Sequence, residues 1–195
     1  MLYTIAHLLR DKMPWVWDLI DQLNSILFTL RYGNKLKKIK FKTPHKNYQI
    51  IPICKVPTNV LVEFFAHQPH EAYRFFHPHG FDSKSIKKLK ENKAFLAYVL
   101  IEESTGHIAG YFFNRSFFHG KGFRGRMVDI DYRGRGLSTL MNRLLNEIGF
   151  GIGLRLFETV NKNNVASYRS AISASKVKVI NEMADGDLYL EILKD

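Results

Sequence analysis

The sequence predicts an α+β fold: a mixed, mostly antiparallel central sheet flanked by helices, with an extra helical segment at the N-terminus. Three observations carry this. Apolar runs of strand length recur from Tyr48 onward, several of them joined by short Gly-containing turns. Segments with apolar residues at helical spacing stand between other strands. The composition, 46% hydrophobic and 13% aromatic, is ample for a core.

Residues 1–45 read as an N-terminal helical and basic extension, and 46–195 as the main domain. Met1 to Arg10 is a short apolar helix candidate. Pro14 to Leu30 is a stronger one, since Pro14 suits a first helical position. Trp15, Val16, Leu19, Ile20, Leu23, Ile26, Leu27 and Leu30 share one face of it, expected to pack on the domain. Gly33 or Asn34 is expected to end it. Lys35 to Lys42 alternates charge with apolar residues, as an exposed strand with lysines on its edge would. A second reading of this extension is an amphipathic anchor plus a basic patch in peripheral contact with an anionic membrane.

The domain begins with a strand over Tyr48 to Lys55, held to an edge or bulge by Pro52. Thr58 to His67 is a helix, Tyr73 to Phe81 a loop, and Asp82 or Ser83 caps a helix to about Lys90. Ala94 to Glu102 and His107 to Phe118 form a hairpin around Glu103-Ser104-Thr105-Gly106. Phe123 to Ile130 is the next strand. Later come a helix from Leu137 to about Ile148, a strand from Leu154 to Val160 and a helix from Val165 to Ala174. Val177 to Met183 and Leu188 to Leu193 are two last strands, joined around Asp185-Gly186.

The stretch with most chemical content is Met127 to Ser138, MVDIDYRGRGLS. An apolar strand runs into an Arg-Gly turn and then a helix. Such a turn presents unpaired backbone N–H groups and the positive end of the helix dipole to an anion. Gly134 and Gly136 let the backbone approach a phosphate closely. The turn is not a P-loop, because no Gly-Lys-Ser/Thr follows, nor the dinucleotide fingerprint, which needs a Gly at Thr139.

Arg133-Gly134-Arg135-Gly136-Leu137-Ser138 resembles the acyl-coenzyme A signature of the GNAT acetyltransferase superfamily, Arg/Gln-x-x-Gly-x-Gly/Ala, with Ser138 in place of the last small residue. The element order from Tyr48 onward is also similar to that family's. The resemblance covers roughly residues 48–195. It implies acetyl-CoA as co-substrate, bound by Met127, Val128, Arg133, Gly134, Arg135, Gly136, Leu137 and Ser138, with Asn161 and Asn164 beyond them. Asn164-Val165-Ala166-Ser167-Tyr168-Arg169 matches the family's Asn-x-x-Ser-x-Arg. By that resemblance Asn164 bonds the pantetheine or a backbone group, and Ser167 lies near the coenzyme sulfur. The family's general acid, a Tyr seven residues after an Asn, is Tyr168 if counted from Asn161. Counted from Asn164 it is Ala171, which leaves Ser167 or solvent.

The reaction implied is direct attack of a neutral amine on the thioester. A backbone N–H near Val128 is the oxyanion donor that the resemblance implies. An alkyl ammonium must first lose its proton to a carboxylate or histidine. Glu158 and Asp129 are the leading candidates, with Glu102, Glu103, His77 and His79 behind them. Phe76, His77 and His79, with Phe75 and Phe81, are expected to wall the acceptor. His67, His70, His77 and His79 invite a metal reading, but Pro78 between two of them and the lack of clustered Cys argue against it, and no metal is expected.

Cys54 is the only cysteine, so no intramolecular disulfide forms, which fits a reducing, cytoplasmic setting. No secretory signal and no run of about 18 uncharged apolar residues is read. The net charge of +11 favours polyanions, and a phosphate-rich cofactor meets that preference without nucleic acid. The expected partner is a small-molecule or protein amine acceptor, such as an anionic amino sugar. A monomer and a homodimer both fit. The rival readings are O-acyl or aminoacyl transfer on the same fold, and a basic RNA- or membrane-binding module with a vestigial coenzyme cleft.

Overall fold

The computed structural model describes residues 14–183 and 186–194, so the Met1–Arg10 helix lies outside the described residues. Among the described residues one seven-stranded sheet runs in the order β1-β2-β3-β4-β5-β7-β6. Its strands are β1 (Tyr48–Pro52), β2 (Phe95–Glu102), β3 (Ile108–Ser116), β4 (Lys121–Val128), β5 (Arg155–Asn161), β6 (Val177–Glu182) and β7 (Asp187–Ile192). The neighbours are antiparallel except β4 and β5, which are parallel.

Helices cover both faces of the sheet, which is why β2 and β3 are apolar on both sides. On one face lie α2 (Thr58–His67) and α3 (Ser83–Glu91). Leu61, Phe64, Phe65 and Ile86 pack there against Phe95, Val99, Tyr111, Phe113 and Met127. On the other lie α4 (Leu137–Ile152) and α5 (Val165–Ala174). Met141, Leu144 and Leu145 meet Leu100 and Phe112, while Ile148 and Ile152 meet Leu156 and Leu190. α4 outlasts its expected end at Ile148 because Gly149 serves close packing against Leu156, not termination. Gly153, at φ 90°, ends the helix instead.

The N-terminal helix α1 (Pro14–Leu36) corrects two expectations. It runs through Gly33 and Asn34, and it turns its apolar stripe outward. Trp15 is 66% exposed, Leu19 59%, Leu23 55% and Leu30 78%. The docked side is mixed: Phe28 and Tyr32 are buried, and polar groups make the remaining contacts. Asn24 bonds the Ser116 carbonyl and the Phe118 N–H at 3.0 and 2.9 Å. Asp21 pairs with Arg115 at 3.2 Å, and Asp18 pairs with Lys88. These partners satisfy the sheet's end at β3 and its following loop, which apolar side chains could not do.

Lys35 to Lys42 is not a strand. Ile39 packs near Gly151 and Phe41 against Tyr98, and the N–H groups of Lys42 and Thr43 both donate to the Glu147 carboxylate at 2.7 Å. The first domain strand is shorter than expected, because the chain turns into a 3₁₀ segment, Ile53–Lys55, straight after Pro52. The 73–81 loop is preceded by another, His70–Arg74. Among the described residues no helix is long and apolar enough to cross a membrane.

Candidate active site

β4 and β5 pair only at Lys121–Arg155, Gly122–Leu156 and Phe123–Phe157, then diverge. β4 still runs to Val128 and β5 to Asn161, so facing edges stand open between them. A cleft of about 1490 Å³ occupies the gap. That exceeds the roughly 300–1,000 Å³ of a typical small-molecule pocket and leaves room for two ligands. The direction of the β4 amides follows from two bonds. The Asp129 N–H reaches the Ala109 carbonyl on the β3 side, and the Arg155 N–H reaches the Gly120 carbonyl on the β5 side. Odd residues therefore direct N–H groups to β3 and even ones toward β5. The N–H groups of Arg126 and Val128 thus face the gap, the direction that an oxyanion donor at Val128 needs.

The Arg-Gly turn closes one end of the cleft. Asp129 caps a 3₁₀ segment, Ile130–Tyr132, so the strand ends at Val128 and not at Ile130. Gly134 and Gly136 have φ of 77° and 75°, the left-handed region, and a Cβ on either would meet open space. Both glycines are therefore demanded by the backbone conformation. Gly136 is the N-cap of α4 and no side chain caps that helix, so its first N–H groups remain available to an anion. Arg133 and Arg169 line the cleft near this end with no ion pair among the described residues. Arg135 turns away, over the Tyr132 ring at 4.6 Å and toward Glu102 at 3.8 Å.

Beneath the open edges lies a buried polar network that sequence reasoning missed. Arg124 and Arg126 alternate on one face of β4 and both reach Glu158 Oε2, at 2.6 and 3.1 Å. Arg124 also donates to Asn146 on α4 at 2.6 Å. Arg126 donates to Ser138 Oγ (2.9 Å), Ser170 Oγ (2.7 Å) and both the carbonyl and hydroxyl of Ser167 (2.9 and 3.1 Å). Burial lowers the Arg126 pKa, and the Glu158 carboxylate opposes that shift. The network ties β4, β5, α4 and α5 together where backbone ladders are missing. It also takes in Ser138, whose hydroxyl accepts from Arg126 and bonds Ser170. The detectable signal was Arg-x-Arg on a strand, two cations on one face, with an acid on the next strand.

Of the expected coenzyme residues, Met127, Val128, Arg133, Gly134, Gly136, Leu137, Ser138, Asn161 and Asn164 line the cleft together. Asn161 bonds Asp187 at 2.8 Å, and Asn164 caps α5 by accepting from the Ser167 N–H at 3.2 Å. Ser167 and Glu158 also line it. Tyr168 does not. It packs instead against the apolar cluster that includes Val160 and Leu190. Asp129 is buried beside the cleft, its carboxylate held by Gln68 Nε2 at 2.6 Å and the Asp131 N–H at 2.9 Å. Glu158 is clamped by two guanidinium groups, both on its Oε2.

On the acceptor side Phe76 and His77 line the cleft, with Glu71, Arg74, Phe75, Arg115 and Trp17 from α1. His79 does not: its Nδ1 bonds the Gly80 carbonyl at 2.8 Å and its Nε2 the Tyr111 hydroxyl at 2.9 Å. Its ring sits edge-on to Phe65, Phe81 and Phe95. Burial lowers its pKa from 6.5 to about 4, so it stays neutral, donating from Nδ1 and accepting at Nε2. Glu102 is spent on the Tyr132 hydroxyl at 2.8 Å, whose bond lowers its pKa. The histidines weighed and set aside as metal ligands form no such group among the described residues. His67 instead comes within 4.8 Å of Asp129 and Asp131, and bonds Asp131 at 3.0 Å.

No protein-family model matches the sequence, and no curated protein matches it. Solved structures do. The GNAT domain of PAT from S. lividans is 14% identical, with a TM-score of 0.64, over 74% of this chain and 89% of that one. A ribosomal-protein-S5-alanine acetyltransferase from Vibrio fischeri is 14% identical, with a TM-score of 0.61, over 78% and 95%. YncA from Salmonella typhimurium, solved with its cofactor acetyl-CoA, is 16% identical, with a TM-score of 0.58, over 76% and 94%. At such identities the likeness speaks for architecture, and the chain has the fold of the GNAT acetyltransferases.

Proposed function

We propose that this chain is an acetyl-CoA-dependent N-acetyltransferase acting on an anionic primary amine. The observation that carries this is the open β4–β5 gap ending on the uncapped N-terminus of α4. A pyrophosphate on the N–H groups after Gly136 directs an extended pantetheine arm along the free edge of β4, which brings the thioester carbonyl to the Val128 N–H. That donor stabilises the oxyanion as the amine attacks. The acetyl-CoA bound to YncA supports this choice of co-substrate.

The leaving thiolate forms beside Ser167. Its hydroxyl lies 3.1 Å from Arg126 Nη2, so a proton donor and a buried cation stand together there. This reading assigns the acid role to Ser167 and not to Tyr168. On the other side His77, exposed in the cleft and without a hydrogen-bond partner among the described residues, takes the ammonium proton. Glu158 and Asp129 position strands and turns. Arg74 gives the acceptor end its preference for an anion, since Arg115 beside it is already paired with Asp21. A single cysteine fits a reducing, cytoplasmic setting. The test is a thiol-release screen with acetyl-CoA across amino sugars, nucleotide-linked amino sugars, polyamines, aminoglycosides and peptide amines. Turnover with an anionic amine supports the proposal. Turnover confined to polyamines contradicts its acceptor half, and no thiol release with any amine contradicts it as a whole.

A further inference from the structure

The outward face of α1 has no counterpart in the cleft chemistry. Trp15, Leu19, Leu23, Ile26 and Leu30 form an exposed stripe along the helix, opposite the side that holds Phe28 and Tyr32. Scattered exposed apolar residues are ordinary on a protein surface, but a continuous stripe this long marks an interaction site.

Charge identifies the occupant. α1 carries two acids, Asp18 and Asp21, and both are paired, with Lys88 and Arg115. Beside the stripe stands α3, SKSIKKLKE, with four lysines to one acid; of the lysines, Lys88 pairs with Asp18 and Lys90 turns to the Val56 carbonyl. Lys84 shares the face of α3 from which Lys88 reaches α1. Lys93 is exposed next to α1, its N–H on Ser25 Oγ at 2.9 Å. At the other end the exposed Lys37, Lys38, Lys40 and Lys42 follow, while Arg31 and Lys35 turn to the Phe118 and Ile152 carbonyls. An apolar stripe flanked by cations suits an interfacial helix on anionic lipid. A second copy of the chain, also at +11, would bring like charges together.

We infer that the outer face of α1 docks the protein on an anionic bilayer surface, lying in the interface plane without crossing it. Trp17, on the same helix, lines the acceptor end of the cleft, so docking holds that end along the headgroup layer. This inference is independent of the coenzyme reading, because it concerns a different surface.

The test uses the full chain with vesicles of phosphatidylcholine alone and of phosphatidylcholine with phosphatidylglycerol. The protein is expected to sediment with the anionic vesicles, not with the neutral ones, and to release as salt rises. The double variant Leu19→Asp, Leu23→Asp is expected to lose vesicle affinity by about tenfold or more with its melting temperature unchanged. Absence of binding by the parent protein overturns the inference, as does undiminished binding by the double variant. A marked fall in melting temperature would show the stripe to be packed within the chain and also overturns it. So does a parent dimer, seen by sedimentation velocity, that the double variant converts to monomer without any vesicle binding, since a second copy then covers the face.

Discussion

Ser167 and Tyr168 are neighbours on α5, yet only Ser167 reaches the cleft. Tyr168 packs against the apolar cluster that includes Val160 and Leu190. Tyr168→Phe keeps the ring and is expected to leave kcat nearly unchanged. Ser167→Ala is expected to lower kcat toward the roughly 10²-fold lower end of general acid–base effects, with little change in the KM for acetyl-CoA. The opposite pattern in these two variants would return the acid role to Tyr168. His79 makes a prediction about pH. Burial lowers its pKa from 6.5 to about 4. Below 6.5 the unfolded chain takes up a proton that the folded chain refuses until about 4, so stability is full above 6.5 and is lost between those values. The loss is about 3 kcal/mol. Urea midpoints at about pH 7 and pH 5 should fall in the parent protein and fall less in His79→Asn. An equal fall in both would place the titrating group elsewhere.

α1 shows what an apolar period leaves open. Spacing identified the helix and its stripe, and the hydrophobic rule then assigned the stripe to the interior. The contacts that reverse it, Asn24 with Ser116 and Phe118 and Asp21 with Arg115, join residues more than ninety apart in sequence, and no local pattern announces them. Phe28→Ala empties a fully buried position and should cost about 3–5 kcal/mol. Leu23→Asp changes an exposed position and should stay within about 0.5 kcal/mol. Chemical denaturation of both variants checks this, and a large loss for Leu23→Asp would contradict the outward orientation. The Arg-Gly turn was the better marker, because its glycines are required by backbone conformation at a strand-to-helix junction, and such a constraint is written locally.

Across the whole molecule, element order was legible from period and turn chemistry. The hairpin at Glu103–Gly106 and the helix after Gly136 fell where spacing put them. Most residues expected on the coenzyme side line one cleft, since Arg133 to Ser138 and Asn164 to Ser167 are contiguous stretches carried by a resemblance. Side-chain direction was less legible. Arg135, Asp129, His79 and Tyr168 are each next to a cleft residue, and each turns away because its neighbours supply a ring, a cap, an aromatic cage or an apolar cluster. The Arg124–Glu158–Arg126 network was hidden because its importance arises only once β4 and β5 separate. That separation, ending on the turn at Gly136, is the feature from which the proposed chemistry follows. Calorimetric titration of acetyl-CoA into the parent protein and into Gly136→Asn tests it most directly. Asparagine tolerates the left-handed backbone but places a side chain over the N–H groups of α4. The expected result is saturable binding by the parent and loss of it in a folded Gly136→Asn protein, and unchanged affinity in that variant would contradict the assignment.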